Sequence, residues 1–259
     1  MLEYVNLNQS IPKEEYDQRL GPLQQRLYEL EHAVFDAKVP VMIVFEGWAA
    51  TGKGRLISIL AERLDPRGFR VVPITPPRTA ELHYPWMWRF WLKIPARGQM
   101  VAFDTSWYRR VLIDRVDKTI GKDQLRSAYQ DSARFEETLS ADGAVIIKFW
   151  LHISEKEQAR RIRSLRKDPL TSWQVSDEDL LQHKHYKKFT AAVEHMIAYT
   201  DFPHAPWTIV EANDRHFMRI KVLETIITVL ETKLNLPLSF GPQAHGQPIT
   251  AGLKGAVNA

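Results

Sequence analysis

The 259-residue sequence contains no cysteine, which excludes disulfides and thiolate metal sites. Its longest apolar runs are strand-sized, too short to span a bilayer. The opening MLEYVNLNQS lacks a basic region and an apolar core, so no signal peptide is expected. Charge of one sign is also missing. Lys and Arg number 35 against 31 Asp and Glu, a net +4. That surplus permits an anionic substrate without requiring nucleic acid. No internal repeat is visible. These absences point to a cytoplasmic protein with neither a membrane nor a nucleic-acid partner. Hydrophobic residues at 44% and charged residues at 25% are ordinary for a globular chain, and the length suffices for one large α/β domain.

Apolar residues recur at helical spacing from Pro12 to Ala37. Strands are expected at Val39–Phe45, Phe69–Ile74, Gln99–Phe103, Gly143–Ile153 and Pro206–Val210. Between them the pattern reads as helices over Arg55–Leu64, Glu81–Lys93, Trp107–Ala141 with a break near Gly121, and Lys156–Thr200. A helix from Asp214 to Leu234 closes the series. Gly143–Ile153 is apolar throughout except Lys148 and His152, as in a strand buried on both faces. Strands alternating with helices predict a doubly wound parallel sheet of about five strands. Residues 1–38 read as a helical lead-in, 39–235 as the main domain, and 236–259 as a disordered tail without periodicity.

Residues 46–55, EGWAATGKGR, follow the first strand and precede a helix. That context suits phosphate. Gly47 and Gly52 allow main-chain N–H groups to approach phosphate oxygens. The helix beginning near Lys53 directs its positive end at the same anion, and Lys53 adds a mobile cation. Gly54 stands where ordinary phosphate loops carry a magnesium-binding hydroxyl. A carboxylate would have to compensate, and Asp104, ending a strand in QMVAFDTSWYRRV, is the candidate metal ligand. Asp104 could equally cap the helix that follows, as could Ser106. Arg109, Arg110 and Arg115 could attract a polyanion. Arg160, Arg161, Arg163, Arg166 and Lys167 form either a basic flap or a solvated helix face. Trp86, Trp88 and Trp91 suit core and subunit contact better than a nucleobase. His183, His185 and His195 have no metal-binding spacing.

EGWAATGKG, LDPRGFRVVPI, PWMWRFWLKIPARG and FDTSWYRRVLIDRV together resemble the polyphosphate kinase 2 family. The resemblance continues through FEETL, GAVIIKFWLHISEKEQARR, APWTIVEAND and RIKVLETI, from about Leu7 to Leu234. It is strongest to the C-terminal domain of two-domain polyphosphate:AMP phosphotransferases. It implies a three-layer, P-loop kinase-like α/β fold with a helical lid over about 156–200. It implies phosphoryl transfer between inorganic polyphosphate and a nucleotide (ADP, AMP or a GDP-type acceptor), with magnesium or manganese. It also implies a homo-oligomer, dimer or tetramer. By the family pattern the loop glycines are Gly47, Gly52 and Gly54, the loop lysine Lys53 and the second-motif acid Asp104.

The sequence departs from that pattern. The family's loop Asp is Ala49 here, and the Arg of its second motif is Thr105. In the lid, a family Arg is Leu165, and basic positions are Thr171 and Gln174. Asp131 is kept before FE, while the Asn nearby is Ala133. Two readings stay open: an active polyphosphate-dependent phosphotransferase, or a weakened or inactive member that binds polyphosphate or nucleotide beside an active paralogue. An ATP-dependent small-molecule kinase is a third, disfavoured by Gly54.

Overall fold

The structure is a computed structural model, and it describes residues 1–240. Five strands form one parallel sheet: β1 Val41–Gly47, β2 Phe69–Pro73, β3 Met100–Asp104, β4 Val145–His152 and β5 Trp207–Glu211. Their order is β2-β3-β1-β4-β5. β1 lies centrally, pairing Val41 with Met100 on one side and with Val145 on the other. All eight residues of β4 and the first six of β1 are buried. Side chains alternate between the faces of a strand, so consecutive burial means that helices cover both faces.

The helices are α1 Lys13–Asp36, α2 Lys53–Ala61, α3 Trp88–Trp91, α4 Arg109–Val116, α5 Lys122–Ala141, α6 Glu155–Lys167, α7 Asp177–Lys184, α8 Tyr186–Thr200 and α9 Arg215–Lys233. The boundaries differ from expectation where local chemistry intervenes. Instead of one helix over Glu81–Lys93 there is a 3₁₀ turn at Thr79–His83 and the short α3, with Pro85 between them. The region 107–141 divides into α4 and α5 at Gly121, whose N–H donates to the Gln124 side-chain oxygen at 3.0 Å. The lid region divides into α6, α7 and α8. Pro169 follows α6, and Ser176 caps α7 by accepting from the Asp179 N–H.

α1 is part of the main body. Leu27, Leu30 and Val34 are fully buried, and α1 packs along α9. Gln24 donates to the Ile59 carbonyl (2.8 Å) and Arg26 to Glu231 (2.9 Å). Residues after α9 fold back onto it, with the Ser239 N–H donating to Glu231 at 2.8 Å. From residue 241 onward the expected tail lies outside the described residues.

A buried charge cluster fixes β4 to its surroundings. Lys148 Nζ donates to Glu136 (2.8 Å), the Thr200 carbonyl (2.7 Å) and the Tyr108 hydroxyl (3.0 Å). Tyr108 and Trp107 in turn donate to Glu136 at 2.6 and 3.1 Å. Burial lowers the Lys148 pKa, and Glu136 opposes that shift. In such a sheet the carboxyl ends of the strands around the order reversal open a crevice. There β1 runs into residues 47–54, and β3 ends at Asp104.

Candidate active site

Each glycine of the loop meets a different demand. A Cβ at Gly47 would lie 2.7 Å from Leu151 Cβ and 2.8 Å from its carbonyl oxygen, so glycine here lets β4 come close. The next N–H, on Trp48, donates to that carbonyl at 3.2 Å. Gly52 caps α2 with φ 91°, the left-handed region that favours glycine. Gly54 has open space around its Cβ position and no positive φ. Sterics therefore do not require glycine there.

The loop and the second motif meet at Lys53. Its Nζ lies 3.0 Å from Asp104 Oδ1 and donates to Thr105 Oγ1 at 2.8 Å. The β1–β3 register, which pairs Phe45 with Asp104, sets this meeting. Thr105 adopts φ 64°, an uncommon conformation for a β-branched residue. Its N–H donates to the Phe45 carbonyl at 3.1 Å. Ser106 donates to buried Glu46 from both its N–H (2.8 Å) and its hydroxyl (2.7 Å). Burial pushes the Glu46 pKa up, against the pull of the Lys53 charge and the two Ser106 bonds. Behind the loop, Trp48 stacks on Tyr186 and donates to His152 Nδ1 at 2.9 Å. Burial lowers the His152 pKa to about 4.

A cavity of about 380 Å³ lies over the loop. Residues 46–55, Thr105, Arg215 and Arg219 line one part. Leu165, Gln174, Glu178, Asp179 and Gln182 line it from the lid region. Gln182 accepts from the Ala49 N–H at 2.6 Å and from Gln158 at 3.0 Å.

The sequence-expected arginines are dispersed, and none lines this cavity. Arg109 donates twice to Glu178, at 2.8 and 2.6 Å. Arg110 sits over the Trp86 ring, 5.6 Å from its centroid, and Arg115 donates to Tyr129 at 3.3 Å. Arg160 is exposed and pairs with Glu157 on its own helix. Arg161 is not on a flap. It is buried behind the loop and donates to the carbonyls of Thr51 (2.9 Å), Ala212 (2.8 Å) and Asn213 (2.7 Å). Its fork ties α6 and the turn before α9 to the loop. Trp86 packs against the core, and Trp91 is 40% exposed. Sequence reasoning passed over Arg55, Arg215 and Arg219 as site cations. One signal was present: Arg215 opens the helix after β5, on the edge of the sheet where the loop lies.

A family model described as "Polyphosphate kinase 2 (PPK2)" matches residues 10–235. The chain belongs to the polyphosphate kinase 2 family. It is 38% identical over 231 residues to a polyphosphate:AMP phosphotransferase of Pseudomonas syringae pv. tomato, covering 89% of this chain and 46% of that protein. It is 34% identical to NDP-polyphosphate phosphotransferase 1 of Ruegeria pomeroyi, covering 84% and 72% of the two. A polyphosphate kinase 2 crystal structure from Pseudomonas aeruginosa superposes with a TM-score of 0.87 at 37% identity, over 90% of this chain and 50% of that one. The polyphosphate kinase 2 structure from Arthrobacter aurescens gives 0.85 at 26% identity, over 94% and 89%. The chain thus spans about half the length of the polyphosphate:AMP phosphotransferases it matches. The fold is the P-loop kinase-like α/β fold that the motifs implied.

Among the described residues no helix is long and apolar enough to cross a membrane. Nor does any group of three or more His, Asp or Glu side chains there form a ready metal cage. Magnesium usually binds through one or two carboxylates plus substrate phosphates and water. Asp104 fits that mode, because Lys53 engages one of its oxygens and the side chain remains about one third exposed.

Proposed function

We propose that this family member transfers a phosphoryl group between inorganic polyphosphate and a nucleoside mono- or diphosphate. One observation carries the reading: Lys53, at the N-terminus of α2, lies within hydrogen-bonding distance of both Asp104 and Thr105. Phosphoryl transfer needs positioning and charge neutralisation more than covalent help. The loop N–H groups and the α2 dipole would hold a phosphate, and Lys53 would bridge it to its neighbour. Arg55, Arg215 and Arg219 would neutralise the rest of the chain. The acceptor's terminal phosphate oxygen is the nucleophile, so no covalent enzyme intermediate is required. Asp104 would hold magnesium or manganese, which when bound neutralises charge on the phosphate oxygens. The same reading places the protein in the cytoplasm as a homo-oligomer. The exposed Leu82, Tyr84, Trp91 and Leu92 around α3 offer apolar surface for assembly.

Ala49 and Thr105 support the second reading, a binder with weakened chemistry. An arginine on the transferred group can contribute 10³-fold or more, and Thr105 supplies only a hydroxyl, already engaged by Lys53. The deciding assay incubates the full chain with polyphosphate, magnesium and AMP, ADP or GDP, and measures nucleotide products. Turnover well above Lys53→Ala supports the enzyme; turnover equal to it leaves the binder. If the scaffold is intact, Ala49→Asp with Thr105→Arg raises the rate by at least about tenfold. An unchanged rate would show that these two substitutions do not limit the chemistry.

A further inference from the structure

The lid places two hydrogen-bond acceptors against the cavity over the loop. Glu178 and Gln182 stand four residues apart on α7, hence on one face of the helix, and both line the phosphate-loop cavity. Glu178 accepts both guanidinium bonds of Arg109, the fork geometry that a phosphate would also accept. Gln182 is buried and its carbonyl oxygen accepts the loop N–H of Ala49 at 2.6 Å. Gln158 holds that amide from α6 at 3.0 Å, and His183 holds Gln158 at 2.9 Å. The carboxylate therefore faces the same cavity as Lys53, Arg55, Arg215 and Arg219.

We propose that the Glu178–Gln182 face of α7 is an internal competitor for the phosphate chain, displaced when polyphosphate binds. The inference rests on the phosphate-site reading above. A phosphate chain and this face compete for the same donors, the Arg109 guanidinium and the Ala49 N–H. The face also sets a threshold, since an incoming anion must outbid a carboxylate already seated in two hydrogen bonds. When α7 moves aside, both donors are released together into a cavity already lined by cations. Arg109, absent from the cavity wall while Glu178 holds it, then becomes a phosphate ligand. The coupling is reciprocal: whatever weakens the α7 contact strengthens anion binding by the same factor.

The test is calorimetric titration of this 259-residue chain with tripolyphosphate at fixed ionic strength. Glu178→Gln keeps the size and loses the charge, so affinity should rise by several-fold to about tenfold. Gln182→Glu keeps both accepted bonds and adds charge beside the loop, so affinity should fall by a similar factor. Thermal midpoints of both variants check that each folds. Unchanged or weaker binding by folded Glu178→Gln overturns the competitor and makes Glu178 a residue that orients Arg109 instead. Failure of the wild type and both variants to bind tripolyphosphate overturns the phosphate-site reading itself, and the competitor with it.

Discussion

Gly54 looked anomalous against ordinary phosphate loops, yet nothing around it demands a glycine. Near the start of α2, Gly54→Ala should raise stability by a few tenths to about 1 kcal/mol through helix propensity. Thermal denaturation measures that gain. Turnover in the same variant shows whether open space at residue 54 serves a ligand: a stabilised but slower protein means that it does. His152 carries a second prediction. Its pKa falls from 6.5 to about 4 in the folded protein because burial disfavours the imidazolium. Below pH 6.5 the unfolded chain takes up a proton that the folded chain refuses until about pH 4. Stability is therefore lost progressively as pH falls from 6.5 to 4, by about 3 kcal/mol in all. His152→Gln keeps an acceptor for Trp48, and its melting temperature should decline less than the wild type's across that window. Equal slopes in both proteins would show that His152 does not carry the effect.

Among the elements, β4 is unusual in burying a charge at its centre. Its apolar run was legible in the sequence as a strand covered on both faces, and Lys148 stood out as an interruption. What Lys148 does there was not legible, because its partners come from the residue before α4, from α5 and from the end of α8, 12 to 52 residues away in sequence. Trp107 and Tyr108 follow Asp104 in the second motif. In the fold they turn to Glu136 and brace the start of α4. Glu136→Leu leaves Lys148 buried and unpaired and should cost about 3–5 kcal/mol. Lys148→Met combined with Glu136→Gln retains an acceptor for Trp107 and Tyr108, so the double variant should cost clearly less. Chemical denaturation of the three proteins tests the difference, and a double variant as unstable as Glu136→Leu would argue that the buried, unpaired charge is not the cause.

For the whole molecule, the lead-in and main domain marked out along the sequence are one packed unit. α1 buries Leu23, Leu27, Leu30 and Val34 and meets Glu224 and Glu231 of α9 through Arg19 and Arg26. Deleting residues 1–37 would uncover the apolar side of α9, so the remainder should aggregate or lose its cooperative transition; a soluble fragment with an unchanged melting temperature would contradict this. The sequence by itself determined the alternation of strands and helices, the strand–loop–helix passage through Lys53 and the family, because periodicity, turn chemistry and motif spacing are local properties of the chain. Only the tertiary structure decided which cations face the cavity. A side chain's direction depends on the packing of distant elements. Arg161 goes behind the loop and Arg109 to Glu178, whereas Arg215 reaches the cavity from the start of α9. Chain order separates Gln182 from Ala49 by 133 residues, and a 2.6 Å hydrogen bond joins them only once α7 is seated over the loop.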